Sequence, residues 1–474
     1  MKPDVRTWMA FALLALLAAA VRLPDLDRRP LHTDEAVNAY ITGQLLAGEP
    51  FRYDPHDRHG PALFAVSAPL ARLAGKTTLA DLEAPDLRRT AVLFSALVVL
   101  ALGLLARPLG PVAPLLAAAG WVAAPISLYY GRYFIHEGGF VCATILCAAG
   151  LLRWAEGRRW PLLAGLGAAL MLCFKETAIL GWGAGGLALL AADPRGLRDR
   201  LRDRRGLTLA LGGAVALIGL AFTWGGTHPS GLTRLVDAAI RVTERAGGEG
   251  HEKPWFYYLA LLARGKSGPL LLLAAALGAV RAWRGGPALR FWVIYGLALL
   301  AVQSAIPYKT PWLALNLLLP LLLLAGHALA VRPAVAVAGL LALGITWGLD
   351  GRRPVWRDPA GEFNPYAYAH TTEDLLRLPE TLAAWQAKHG RDPVIAVIAD
   401  DPWPLPWYLR RLPRVGYWRP GQDPGPADLY LTDLAPGDAV NPRLAERIPD
   451  YYGVRPGALL VLWLDRGGDT PVAP

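Results

Sequence analysis

Four short stretches of this sequence gather side chains that can move protons or hold phosphate. The first is Leu31-His32-Thr33-Asp34-Glu35-Ala36, with two adjacent carboxylates. The second, Arg52-Tyr53-Asp54-Pro55-His56-Asp57-Arg58-His59-Gly60-Pro61, is dense in ionisable groups. The third is Tyr129-Tyr130-Gly131-Arg132-Tyr133-Phe134-Ile135-His136-Glu137-Gly138. The fourth joins Lys175-Glu176 to Tyr308-Lys309-Thr310-Pro311-Trp312. Each also has a plain structural reading. Asp34 and Glu35 suit the first turn of a helix capped by Thr33. Asp54-Pro55 and Gly60-Pro61 suit turns in a solvated loop. Arg132 among tyrosines suits an aromatic belt at a membrane surface, and lysines at span ends suit anchoring.

The chemical reading needs these types together. A carboxylate such as Asp34 can take a proton from an acceptor, with Glu35 beside it and Glu137 as a second acid. Arg88, Arg89, Arg132, Lys175 and Lys309 form a set able to neutralise a phosphate. His59 and Asp54 can line a polar cavity. A group already joined to phosphate has a good leaving group, so a base and nearby cations suffice for its transfer. No Walker motif, strand–GxGxxG–helix unit or HEXXH is present, so nothing points to an ATPase, a dinucleotide enzyme or a zincin.

These residues must be positioned by a largely apolar chain. Of 474 residues, 54% are hydrophobic and 18% charged, with mean hydropathy +0.31. That is more apolar surface than a soluble globule hides. A bilayer core of about 30 Å takes about 20 apolar residues per helix. Eleven such spans are predicted, at roughly 6–23, 90–106, 111–128, 138–153, 160–174, 178–192, 207–225, 268–283, 289–306, 311–330 and 333–349. The apolar run Trp8–Val21 lacks a small-x-small cleavage site and reads as an uncleaved first helix. With the N-terminus inside, Lys2, Arg6, Arg107, Arg153, Arg158, Arg159, the Arg195–Arg205 cluster, Arg281, Arg284, Arg290 and Arg332 all fall on the cytoplasmic side. The net charge of +10 is then a topology signal, and nucleic acid is not expected as a partner. Cys142, Cys147 and Cys173 lie inside apolar runs and read as buried small hydrophobes.

Two long outward loops, 24–89 and 226–267, follow from this topology. The first contains a short helix at Glu35–Leu46 and an amphipathic or re-entrant segment at Pro61–Leu73. All four clusters fall outside. Residues 1–350 form a membrane domain. Residues 351–474 are Pro-rich, aromatic and charged, with strand-like runs at 394–398 and 459–463 and helical signal at 372–389 and 403–411. They predict a small extracytoplasmic α/β domain. Its Trp403, Trp407, Tyr408 and Trp418 either stack on glycan or dock the domain on the membrane face.

The ordered set His32-x-Asp34-Glu35-Ala36, Tyr53-x-Pro55, His59-Gly60-Pro61, Gly131-Arg132-Tyr133-Phe134 with Glu137, Lys175-Glu176-Thr177-Ala178, Lys309-Thr310-Pro311-Trp312 and Trp403 to Arg410 resembles the membrane glycosyltransferases of the GT-C superfamily. The branch it looks like is the archaeal-type flippase activity-associated family. The superfamily includes dolichyl-phosphate-mannose protein mannosyltransferases and the aminoarabinose lipid A transferase. The resemblance implies a polytopic α-helical membrane protein of the plasma membrane. It implies inverting transfer of a hexosyl or pentosyl group from a polyprenyl-phosphate-linked sugar to an unknown acceptor. It places Asp34 at the acidic-motif position and makes Glu137 the second acid. Lys175 and Lys309 match positions expected near the donor phosphate. His32, Tyr53, Asp54, His59, Arg88, Arg132, His136, Glu176 and Trp312 complete the candidate substrate-binding set. Some superfamily members use a divalent metal, so Asp34 and Glu137, with Glu35, are candidate ligands for Mg²⁺ or Mn²⁺. The rival expectation is a flippase-associated or transport component for lipid-linked glycans, which would carry ionisable residues at the bilayer midplane.

Overall fold

A computed structural model describes residues 4–56, 58–247, 250–433 and 443–465. Lys2 and Asp57 lie outside the described residues.

Every predicted apolar segment is helical. Among the described residues, five helical stretches are long and apolar enough to cross a membrane: Ala84–Leu109, Arg204–Phe222, Pro287–Ala305, Pro311–Leu329 and Pro333–Arg357. Seven shorter apolar helices accompany them, among them Val5–Ala20, Val112–Ala123, Glu137–Leu152, Arg159–Phe174, Ala178–Ala192 and Ser267–Trp283. The seventh, Ala62–Leu73, lies within the long first loop. The architecture is therefore a multi-helix membrane bundle with a small C-terminal sheet.

Small residues let the helices approach closely, since lipid offers no hydrophobic drive for helix pairing. A side chain at Gly165 would collide with the Ala210 carbonyl of the helix Arg204–Phe222. The apolar surface sorts into two large clusters. One centres on Phe11, Trp121, Trp292 and Leu318. The other joins the first loop to the sheet, through Ala36, Phe64, Phe134, Leu375, Trp407 and Leu431.

The first loop folds into the helices Thr33–Leu46 and Ala62–Leu73. Its first helix starts two residues earlier than predicted, because His32 rather than Thr33 caps it. His32 Nδ1 accepts from the Asp34 N–H (3.0 Å), and the His32 N–H donates to Glu35 Oε2 (3.3 Å). This is a capping box with histidine as the cap.

The C-terminal sheet has five strands: β1 Ile395–Ile398, β2 Val415–Trp418, β3 Leu429–Asp433, β4 Arg447–Arg455 and β5 Ala458–Asp465. Their order is β2-β1-β3-β5-β4, with β1 parallel to β2 and β3 and the rest antiparallel. The helical expectation at 372–389 becomes a short turn and the helix Arg377–His389, and that at 403–411 contracts to Leu405–Tyr408. Trp407 and Tyr408 are buried, Trp403 meets the Tyr40 ring edge-on, and Arg410 donates to the Leu82 carbonyl (2.9 Å). An ion pair between Arg411 and Glu83 joins the same two regions.

Candidate functional site

A cavity of about 350 Å³ opens among the first loop, the turn before Glu137–Leu152, and the helices Ala178–Ala192 and Pro287–Ala305. Of the residues predicted from sequence, it brings together Asp34, His59, His136, Glu137, Lys175, Glu176 and Trp312. Phe140, Leu180, Leu299 and Leu313 add apolar lining, and Gln303 and Asn316 add polar groups from the spanning helices.

Asp34 is partly exposed in this cavity, and its carboxylate has no hydrogen-bond or ion-pair partner among the described residues. Its position is imposed through the backbone. His32 Nε2 donates to the Tyr368 carbonyl (3.0 Å) while Nδ1 accepts from Asp34 N–H. One ring nitrogen donates and the other accepts, so the ring is the neutral Nε2–H tautomer. Burial also lowers the pKa of His32, which agrees.

Glu35, one residue on, is fully buried and leaves the cavity. Arg88 Nε and Nη2 donate to its two oxygens (2.8 and 2.6 Å), and Arg29 adds an ion pair at 3.6 Å. The Phe134 N–H donates to Oε1 (2.9 Å). Burial opposes its ionisation, but Arg88 and Arg29 outweigh that and hold its carboxyl at about 2. Glu35 therefore ties the first loop to the Phe134 turn. Its expected catalytic or metal-binding part does not fit this geometry, because its oxygens are saturated.

On the opposite wall, Lys175 Nζ contacts Glu137 Oε1 at 2.5 Å. Burial disfavours the Lys175 ammonium, but Glu137 beside it raises its pKa. Glu176 binds His59 Nδ1 (2.7 Å) and receives the Tyr53 hydroxyl (2.8 Å). Burial opposes its charge, yet His59 and Tyr53 lower its pKa. Gly60 permits this meeting, since a Cβ there would strike the Cys173 carbonyl. Tyr53 thus acts on the cavity through Glu176. Losing the Glu176 charge would release His59, so Glu176→Gln should lower the melting temperature of the purified chain by a few degrees.

The other predicted residues lie elsewhere. Asp54 pairs with Arg234 at 3.2 Å in the loop. Arg88 serves Glu35. Arg132 stacks on Trp356, 4.2 Å from its ring centre, and donates to the Asp25 carbonyl. Lys309 is buried and donates to the backbone carbonyls of Ile306 and Lys253. Sequence reasoning did not single out Arg58, His251, Gln303 or Asn316, and it weighed Tyr308 only as a neighbour of Lys309; all five line the cavity. The segment 359–371 also braces the site. Tyr129 OH donates to the Pro359 carbonyl (2.7 Å), His251 Nδ1 meets Tyr368 OH (2.6 Å), and Thr371 donates to the Leu31 carbonyl (2.7 Å).

The expected metal set fails on its donors. Glu35 is held by arginines and Glu137 by Lys175, which leaves Asp34 as the open carboxylate of the three. Among the described residues, no group of three His, Cys, Asp or Glu side chains is arranged to hold a metal.

No protein-family model and no curated protein matches the sequence. Solved structures do. ArnT from Cupriavidus metallidurans, bound to undecaprenyl phosphate, superposes with a TM-score of 0.65 at 16% identity, over 99% of this chain and 100% of that one. The fold is that of the GT-C glycosyltransferases. The archaeal oligosaccharyltransferase AglB from Archaeoglobus fulgidus, in complex with an inhibitory peptide and a dolichol-phosphate, matches with a TM-score of 0.52 at 13% identity, over 86% of this chain and 63% of that one. The mycobacterial arabinofuranosyltransferase AftD gives 0.54 at 16% identity, over 99% of this chain and 40% of that one. The GT-C fold accounts for the layout seen here, with a helical bundle, a structured first loop and the cavity at their junction.

Proposed function

We propose that this chain is an integral membrane glycosyltransferase. It moves a sugar from a polyprenyl-phosphate donor to an acceptor at the outer face of the plasma membrane. The observation that carries this reading is the open Asp34 carboxylate facing a cavity whose other wall holds Lys175, His59 and Arg58. In one displacement, Asp34 takes the acceptor proton while the acceptor atom bonds to the sugar's anomeric carbon. The carbon–oxygen bond to phosphate breaks, and its electron pair stays on the phosphate. Lys175 and Arg58 on the far wall stabilise that developing charge, and the apolar residues of the lining suit a prenyl chain. Such a displacement inverts the anomeric centre. The polyprenyl and dolichyl phosphates named for ArnT and AglB support the donor class.

The proposed topology has eleven crossings, with the N-terminus in the cytoplasm, residues 1–350 in the membrane domain and 351–474 outside. It places the cavity at the outer surface. The flippase-associated alternative is less favoured, because the charged groups gather at the loop end of the bundle rather than at its middle.

The test is release of free polyprenyl phosphate from a labelled polyprenyl-phosphate sugar by the purified protein, with membrane extract as the acceptor source. Release that follows active protein and inverts the anomeric centre supports the reading. Lipid movement across vesicles without any release would refute it.

A further inference from the structure

A second, smaller hollow lies apart from the cavity, where the segment after the first helix meets the linker to the sheet. Arg28, Arg29, Arg88 and Arg132 stand on its walls, with Asp25 at the rim and Trp356 across from it. Its room is about 20 Å³, enough for one water-sized group.

The charges there do not balance. Glu35 neutralises one arginine, and its partner Arg88 is fully engaged, donating also to the carbonyls of Leu26, Arg29 and Pro30. Asp25, exposed at the rim, offsets a second. Four guanidinium groups against two carboxylates leave two positive charges over. The donors do not balance either. Among the described residues, Nε of Arg29 and Nη1 of Arg132 are buried without a hydrogen-bond partner, and Arg22 Nε, beneath Gly131, is in the same condition. Burial and the guanidinium groups of Arg29 and Arg88 hold Arg132 down to about 10. A buried charged donor without an acceptor bears its whole desolvation cost, so such a cluster is stable when something accepts from it.

We propose that this hollow is an anion site, holding one small hard anion between Arg29 and Arg132 with Arg28 at the entrance. The room fits a chloride ion or a single terminal oxygen of a phosphate. That phosphate is either inorganic or the headgroup of a membrane lipid. The site is independent of the transferase reading, because neither Arg29 nor Arg132 lines the cavity. Its occupant would add a shared acceptor to four segments already joined by hydrogen bonds and ring stacking: residues 25–29, Arg88, the Arg132 turn and the linker at 356–359. Arg29 and Arg88 also hold Glu35, so the anion would stiffen the helix start that carries Asp34.

The test is thermal unfolding of the full chain in neutral detergent at constant ionic strength. Gluconate is the reference, against chloride, inorganic phosphate and micelles doped with phosphatidic acid. The expected result is a melting temperature that climbs with the concentration of at least one of the three over gluconate. The arm that responds at the lowest concentration identifies the source. Arg132→Gln should abolish that climb. Equal melting in all four conditions overturns the site, and so does a climb that persists in Arg132→Gln. If Arg132→Gln fails to fold, Arg28→Gln at the exposed rim decides. A severalfold shift in the midpoint concentration supports the site, and an unchanged midpoint overturns it.

Discussion

Asp34→Asn is expected to lower sugar transfer by about 10²–10⁴-fold, the range that a positioned general base contributes. The asparagine keeps the size of the side chain and the backbone N–H that His32 Nδ1 holds. It removes only the ability to accept the acceptor's proton. The Asp34 carboxylate has no hydrogen-bond or ion-pair partner among the described residues, so thermal stability should be unchanged and donor binding nearly so. This separates loss of chemistry from loss of structure. Turnover with a labelled polyprenyl-phosphate sugar, beside a melting curve of the same preparation, reads both. Wild-type turnover in the variant would remove Asp34 as the base.

Glu35→Gln should do the reverse, damaging the fold first. It leaves Arg88 buried with its carboxylate partner gone and Arg29 without the Glu35 ion pair. Breaking a buried pair from one side costs about 3–5 kcal/mol. The expected outcome is a large drop in melting temperature or loss of monodisperse protein in detergent, with activity lost in parallel. The same group sets an acid limit. Its folded pKa of about 2 lies below the ordinary 4.5. The stability it adds is therefore complete above about pH 4.5 and lost as pH falls toward 2. Melting curves between pH 6 and 3 should fall more steeply for the wild type than for Glu35→Gln. Parallel curves would show that Glu35 contributes no such linkage.

The two carboxylates show how far the sequence carried. Both were visible as a pair at a helix start in the first long loop. Successive residues on a helix point about 100° apart, so adjacent acids cannot share one environment. Which of them faced the cavity depended on what Arg88 and Phe134 did, 53 and 99 positions away. The arginines follow the same rule. Arg88 pairs with Glu35 and with backbone carbonyls, and Arg132 meets the Asp25 carbonyl and the Trp356 ring, partners that no local pattern announces. Lys309 likewise stands at the mouth of a span, yet its ammonium turns to backbone carbonyls.

The sequence alone determined the helical membrane class, the place of the structured first loop and the acidic motif, because apolar run length and charge placement are local properties set by the bilayer. It also marked the strands at 394–398 and 459–463. Tertiary structure alone decided the division between Asp34 and Glu35, the Tyr53–Glu176–His59 and Lys175–Glu137 groupings, the bracing of His32 by Tyr368 and the surplus of arginine charge around Arg132. These depend on contacts between residues tens to hundreds of positions apart. A buried ionisable group takes its role from whichever partner the packing brings to it.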